Sequence, residues 1–113
     1  MGIFLHPLTI IGPSGRETVE AQVDTSIIFA VIPAPILERL GVRPLDARPY
    51  HGAFVGQVEG RLGGERGWPM VVPGAETDQP VIGRHTLDSF ILDIDEEVGT
   101  LVPKVLRVIE HAH

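Results

Sequence analysis

The sequence predicts a small all-β domain with one or two short helices, and three observations support this fold class. Its 113 residues make a single domain, 1–113, which is long enough to bury a core. Thirteen glycines and ten prolines divide the chain into short segments separated by turns. Several of these segments alternate apolar and polar residues, as half-buried strands do. We therefore expect a small closed β domain.

The first forty residues predict a β-hairpin, a buried strand and a short helix, in that order. The hairpin joins strands 3–11 and 17–23 across the turn 12–15, which holds two glycines and a proline. Residues 29–32 are wholly apolar, which is typical of a buried strand. Residues 35–40 begin with proline and precede Gly41, so they predict a helix with a glycine cap.

The remainder of the chain predicts further short strands and a second helix. In chain order we expect a loop or irregular hairpin over 42–56, strands 58–62 and 68–72 paired around Gly63-Gly64, a polar loop over 73–79, a helix over 84–90, and a final hairpin of 91–94 with 100–102. The tail, 105–113, is too apolar for a free end, so we expect it to pack, for example against a partner chain.

Composition argues against several classes of function. Fifteen acidic and nine basic residues give a net charge of −6 without a basic cluster, so we expect no nucleic-acid partner. The longest apolar run, 27–35, is too short to cross a bilayer, and we expect neither a membrane partner nor a signal peptide. The lack of cysteine permits a cytoplasmic location without pointing to one, and a cytoplasmic location is what we expect. The five histidines lack ligand spacing, so no metal or cofactor is predicted.

Two short motifs, far apart in the chain, carry the candidate chemistry. Asp24-Thr25-Ser26 directly follows the second predicted strand, and Val81-Ile82-Gly83-Arg84 lies in the last third. Taken alone, the first motif is more often an Asx-type turn, and Ile-Gly pairs end many buried strands. Together, in this order, they supply one carboxylate turn and one apolar turn that ends in glycine.

With their flanking segments, these motifs resemble the retropepsin-like (retroviral-type) aspartic proteases. The likeness continues through the apolar segment 29–33, the helix 36–42, and the closing helix and strands over 87–103, and it is weakest over 44–56. The resemblance implies a retropepsin-like β domain that acts as a two-fold homodimer, with Asp24 as its catalytic residue.

The implied chemistry needs two carboxyl groups, one to deprotonate water and one to protonate the peptide carbonyl. About 3 Å apart, the two groups cannot both ionise, so they share a proton. One Asp24 per chain can meet this need only across a two-fold axis, where the same surface meets itself. The implied function is an endopeptidase that holds an extended polypeptide between its subunits as an added strand.

The resemblance also implies a set of substrate-binding residues around Asp24. They are Thr25, Ser26, Ile28, His51, Gly52, Ile82 and Gly83. Thr25 would hydrogen-bond across the two-fold axis. Gly83 would let its loop pass close to the loop of Asp24, because a Cβ there would crowd it.

The chain departs from the family pattern in four places. Ser26 stands where the family usually has glycine, and Ile27 where it usually has a small residue. Residues 48–56 are short for the flap that covers substrate. Ile28 replaces the acid that, in viral members, pairs with the arginine matching Arg84.

These departures keep two alternatives open. Ser26, Ile27 and the short flap favour a catalytically silent dimeric module that binds an extended peptide. The intact Asp24, Thr25 and Gly83 favour catalysis. A third alternative is an assembly domain whose termini drive pairing and whose cleft is vestigial.

Overall fold

The computed structural model describes residues 4–42 and 56–104, which over these ranges form mainly β-structure. The elements are β1 (Phe4–Gly12), β2 (Gly15–Val23), β3 (Ala30–Pro33), α1 (Ala34–Arg39), β4 (Gly56–Gln57), β5 (Glu59–Leu62), β6 (Glu65–Gly67), β7 (Met70–Gly74), β8 (Val81–Ile82), α2 (Arg84–Ser89), β9 (Leu92–Asp95) and β10 (Thr100–Pro103). Neither of these helices is long and apolar enough to cross a membrane. The predictions of a flap and a packed tail lie outside the described residues.

The N-terminal hairpin is confirmed. β1 and β2 pair antiparallel along their whole length, from Phe4 opposite Val23 to Gly12 opposite Gly15. Alternate residues of β2 are buried at Val19, Ala21 and Val23, as the period of two predicts.

The main sheet curls until its two ends meet. Within the described ranges its strand order is β4-β7-β3-β8-β2-β1-β5-β6, and β9 pairs with β10 separately. β4 and β5 are six positions apart in that order, roughly 29 Å in a flat sheet. Only Val58 separates them in the chain, and one residue bridges roughly 7 Å. The curl encloses a core that includes Leu8, Ile32 and Phe90.

The short strand β8 positions the candidate site. It pairs parallel with β2, where Val23 is opposite Ile82, and antiparallel with β3, where Val31 is opposite Val81. Because β2 and β8 run in the same direction, their carboxyl ends lie side by side. The residues that follow the two strands therefore emerge at the same edge of the sheet.

The predicted hairpin around Gly63-Gly64 is present, but its strands pair over 56–62 with 65–71 rather than over 58–62 with 68–72. The partner of β5 beyond the turn is β6, with Leu62 opposite Glu65. Gly63 and Gly64 have φ of 58° and 83°, which suits a two-residue hairpin turn, so β6 begins directly after the turn. Pro69 has no N–H to donate, so the ladder loses one hydrogen bond there, while the Val58 N–H still donates to the Pro69 carbonyl over 3.0 Å. β7 continues the same register, with Gln57 opposite Met70 on β4, and pairs with β3 on its other side.

Ile91, predicted to begin a strand, is left-handed, with φ of 55°, and β9 begins one residue later. This conformation is rare for a β-branched residue, and the side chain is exposed. Its carbonyl accepts a hydrogen bond from the Lys104 N–H at 2.9 Å, which joins the end of α2 to the end of β10. The other predicted strands and helices differ from the observed bounds by one or two residues.

Candidate functional site

The residues that follow β2 form a tight loop, 24–29, which we call the Asp24 loop. The Asp24 N–H donates to the Ile82 carbonyl over 3.0 Å, which continues the contact between β2 and β8. The Ile27 N–H donates to the Asp24 carbonyl over 3.1 Å and closes a turn. The position of Asp24 is therefore set by backbone hydrogen bonds on both sides.

The Asp24 loop also caps α2. The Arg84 N–H donates to the Ile27 carbonyl and the His85 N–H to the Ile28 carbonyl, each over 2.8 Å. The first N–H groups of a helix have no partner inside the helix, and here the loop supplies two of the acceptors. Loop and helix therefore hold each other in place.

Gly83 lies where the two segments approach most closely. A Cβ on this residue would be 2.5 Å from the Phe29 carbonyl oxygen, 2.6 Å from that of Ile27 and 2.7 Å from the Ile28 carbonyl carbon. The φ of Gly83 is −90°, which any residue adopts, so glycine is required here for space alone. Gly83 thus lets its turn lie close to the Asp24 loop, as predicted. Its substrate-binding role, like that of the buried Ile82, stays a prediction.

The Asp24 carboxylate is partly exposed, and its Oδ1 accepts two hydrogen bonds from Ser26. The Ser26 hydroxyl donates over 2.6 Å and the Ser26 N–H over 3.0 Å. The hydroxyl bond, and after it the N–H bond, lowers the pKa of Asp24 below its ordinary value, because both favour the charged form. Slight burial opposes this effect. The site thus presents an anionic carboxylate at the sheet edge.

The other predicted side chains of the Asp24 loop face solvent. Thr25 and Ser26 are exposed, and Ile28 retains 58% of its exposure. Each lies within four residues of Asp24, but the structure does not test substrate binding by them. His51 and Gly52 lie outside the described residues, so their placement in a flap also stays a prediction.

Sequence reasoning missed a polar cleft beside Thr25. It has a volume of about 350 Å³ and is bordered by Arg84, Asp88 and Lys104, among other residues. Lys104 forms an ion pair with Asp88. Arg84 has no ion pair with any residue of 4–42 or 56–104. No local pattern reveals this cleft, because α2 and the end of β10 meet only in the folded chain.

The hydroxyl contact between Ser26 and Asp24 was also missed, although it had a local signal. A serine two residues after an aspartate is well placed to hydrogen-bond it in an Asx-type turn. From the sequence, Ser26 is predicted to bind substrate and to add a side chain beside it, but not to donate a hydrogen bond to Asp24.

No protein-family model and no curated protein matches this sequence. The fold does match a solved structure, the retroviral protease-like domain of Ddi1 from Leishmania major, with a TM-score of 0.65. The two are 21% identical, and the match covers 91% of this chain and 88% of the other. The chain therefore has a retropepsin-like fold, and this expectation is confirmed.

Proposed function

We propose that this protein is an aspartic endopeptidase whose catalytic pair consists of Asp24 from each of two subunits. One observation carries the proposal. In a retropepsin-like fold, backbone contacts with the Gly83 turn hold the Asp24 loop at a spacing that admits no side chain. A single, partly exposed carboxylate is thereby fixed at the edge of the sheet.

Hydrolysis would proceed by general acid–base catalysis across the subunit interface. One Asp24, ionised, takes a proton from water, and the oxygen of that water attacks the peptide carbonyl carbon. The other Asp24, protonated, donates its proton to the carbonyl oxygen. The intermediate then collapses and the carbon–nitrogen bond breaks. The leaving nitrogen takes the proton that the first Asp24 removed from water, and one hydroxyl of the intermediate returns its proton to the second Asp24 as the carbonyl re-forms. The Asp-Thr-Ser triplet occurs once in the chain, so in this proposal a second copy supplies the second carboxyl.

The proposed substrate is an extended polypeptide. Exposed Ile28 offers it an apolar contact four residues from the carboxylate, and Thr25 and Ser26 lie between them. Backbone hydrogen bonds along the cleft would bind the substrate as an added strand, largely independent of its sequence.

The test is cleavage of an unstructured protein from acid to neutral pH by the wild type, Asp24→Asn and Glu38→Gln. Asparagine neither takes up nor releases the required proton, so we expect its rate to fall by on the order of 10³-fold or more. Glu38 is exposed on α1, and its replacement by Gln removes the same charge away from the site, so activity should be retained. Inhibition by a statine-type transition-state mimic should accompany activity. Equal cleavage by the wild type and Asp24→Asn would reject the proposal.

A catalytically silent peptide-binding module with the same fold is the second candidate. The Ser26 side chain favours it, because its hydroxyl already occupies Asp24 Oδ1 and adds volume where the family usually has glycine. A dimer, established by sedimentation, that binds extended peptides but cleaves none at any pH would favour this candidate.

A further inference from the structure

Resting on the proposed function, we propose that the Ser26 hydroxyl is a positioning group that holds Asp24 ionised and moves the working pH range of the catalytic pair toward acid. Ser26 would act through Asp24 and need not contact the substrate. Ser26 stands where the family usually has glycine.

The geometry is that of a carboxylate anchored through one oxygen. The Ser26 Oγ and N–H lie 2.6 and 3.0 Å from Asp24 Oδ1. The hydroxyl distance falls in the range of charge-assisted O–H···O⁻ bonds, which are stronger than neutral ones. Within the described residues, Asp24 Oδ2 accepts no hydrogen bond, so it is the oxygen left for water or a second carboxyl.

No other described side chain competes for this control. The charged and titratable groups on elements packed against the Asp24 loop and its neighbouring cleft are Arg84, His85, Asp88, Asp93, Glu96 and Lys104. In the described part of the chain, none of them forms a hydrogen bond or ion pair with Asp24. Lys104 is paired with Asp88 instead. Among the described side chains, Ser26 is therefore the one that hydrogen-bonds this carboxylate.

The consequence for a two-fold pair follows from its coupled titration. Each subunit would bring its own Ser26, so both macroscopic pKa values of the pair are lowered. The pair works while it holds one proton, that is, between those two values. Lowering both values moves the whole active range to lower pH, and removing the hydroxyl moves it back up.

The direct test follows the Asp24 carboxyl carbon by NMR during pH titration of the wild type, Ser26→Ala and Ser26→Thr, with Asp24→Asn to assign the signal. We expect Ser26→Ala to raise the apparent pKa values. Ser26→Thr keeps a hydroxyl and should titrate near the wild type. Ser14→Ala, in the exposed turn after β1, is the matched control and should change nothing. An Ala variant that titrates like the wild type, or a Thr variant that shifts as far as Ala, would overturn the inference.

The activity profile supplies an independent reading. Both limbs of the bell-shaped dependence of kcat/KM on pH should move to higher pH in Ser26→Ala and return in Ser26→Thr. Limbs that stay in place would overturn the inference even if activity falls. If the wild type cleaves nothing, the proposed function fails, whereas the NMR titration still decides the role of Ser26.

Discussion

Among the glycines that have no room for a Cβ, Gly83 at the candidate site and Gly67 on β6 differ in what crowds them. At Gly83 the close neighbours are backbone atoms of residues 27–29, between 2.5 and 2.7 Å from where a Cβ would lie. At Gly67, on the outer strand β6, two of the three neighbours are ring atoms of Phe90, at 2.9 and 3.0 Å. A ring can turn aside, while a hydrogen-bonded backbone cannot. The candidate site is therefore the less deformable of the two regions.

The two regions also differ in their polar contacts. Beside β6, Arg66 pairs with Glu59 at 2.8 Å and lies over the Trp68 ring at 5.0 Å, all on the surface. Exposed pairs of this kind contribute little to stability. At the Asp24 loop, two hydrogen bonds converge on one oxygen and set its charge. The first set of polar contacts lies on the surface of the sheet, and the second favours the charged form of the Asp24 carboxyl group.

The largest effect is expected from Gly83→Ala. The added methyl cannot be accommodated without displacing the Asp24 loop, so we expect a loss of about 3 kcal/mol or more in the free energy of unfolding, measured in urea. Gly64→Asn is the control, because nothing lies within 4 Å of its Cβ and asparagine tolerates its φ of +83°. If Gly83→Ala unfolds at the same urea concentration as the wild type, the Asp24 loop moves aside for the methyl without a loss of stability.

An intermediate effect is expected from Gly67→Ala, about 1–2 kcal/mol, because part of the strain passes to the Phe90 ring. The double variant Gly67→Ala/Phe90→Leu should be more stable than the sum of the single losses predicts, since leucine leaves room for the methyl. Strict additivity of the two changes would mean that the Ser89 carbonyl, 3.0 Å away, sets the strain instead.

The smallest effect is expected from Arg66→Ala, about 0.5–1 kcal/mol, because the side chain is half exposed and its partners Glu59 and Trp68 remain 29% and 48% exposed. Part of this loss should disappear at high salt, which screens the pair with Glu59. Arg61→Ala, on the neighbouring strand, removes an exposed arginine without an ion pair in the described ranges and serves as the control. If the stability lost in Arg66→Ala is the same at low and high salt, the loss comes from the contact of Arg66 with Trp68 rather than from the ion pair with Glu59.

The elements that the sequence predicts well are those with local signals. The β1–β2 hairpin follows from alternation of apolar and polar residues and from a glycine-rich turn. The close approach of the Gly83 turn to the Asp24 loop follows from the resemblance that the two motifs carry. The second strand of the Gly63-Gly64 hairpin was predicted to begin at Trp68 rather than Glu65, because the exposed, charged residues Glu65 and Arg66 carry no apolar pattern. The capping of α2 by Ile27 and Ile28 depends on a contact between distant parts of the chain, which no local pattern encodes.

That capping makes the first turn of α2 a reporter of the candidate site. The amide protons of Arg84 and His85 exchange with solvent only when their bonds to the Asp24 loop open. Fraying of the helix and release of the loop are thus one local unfolding event. A ligand or second subunit that steadies the carboxylate should slow hydrogen–deuterium exchange at these two amides without touching either residue.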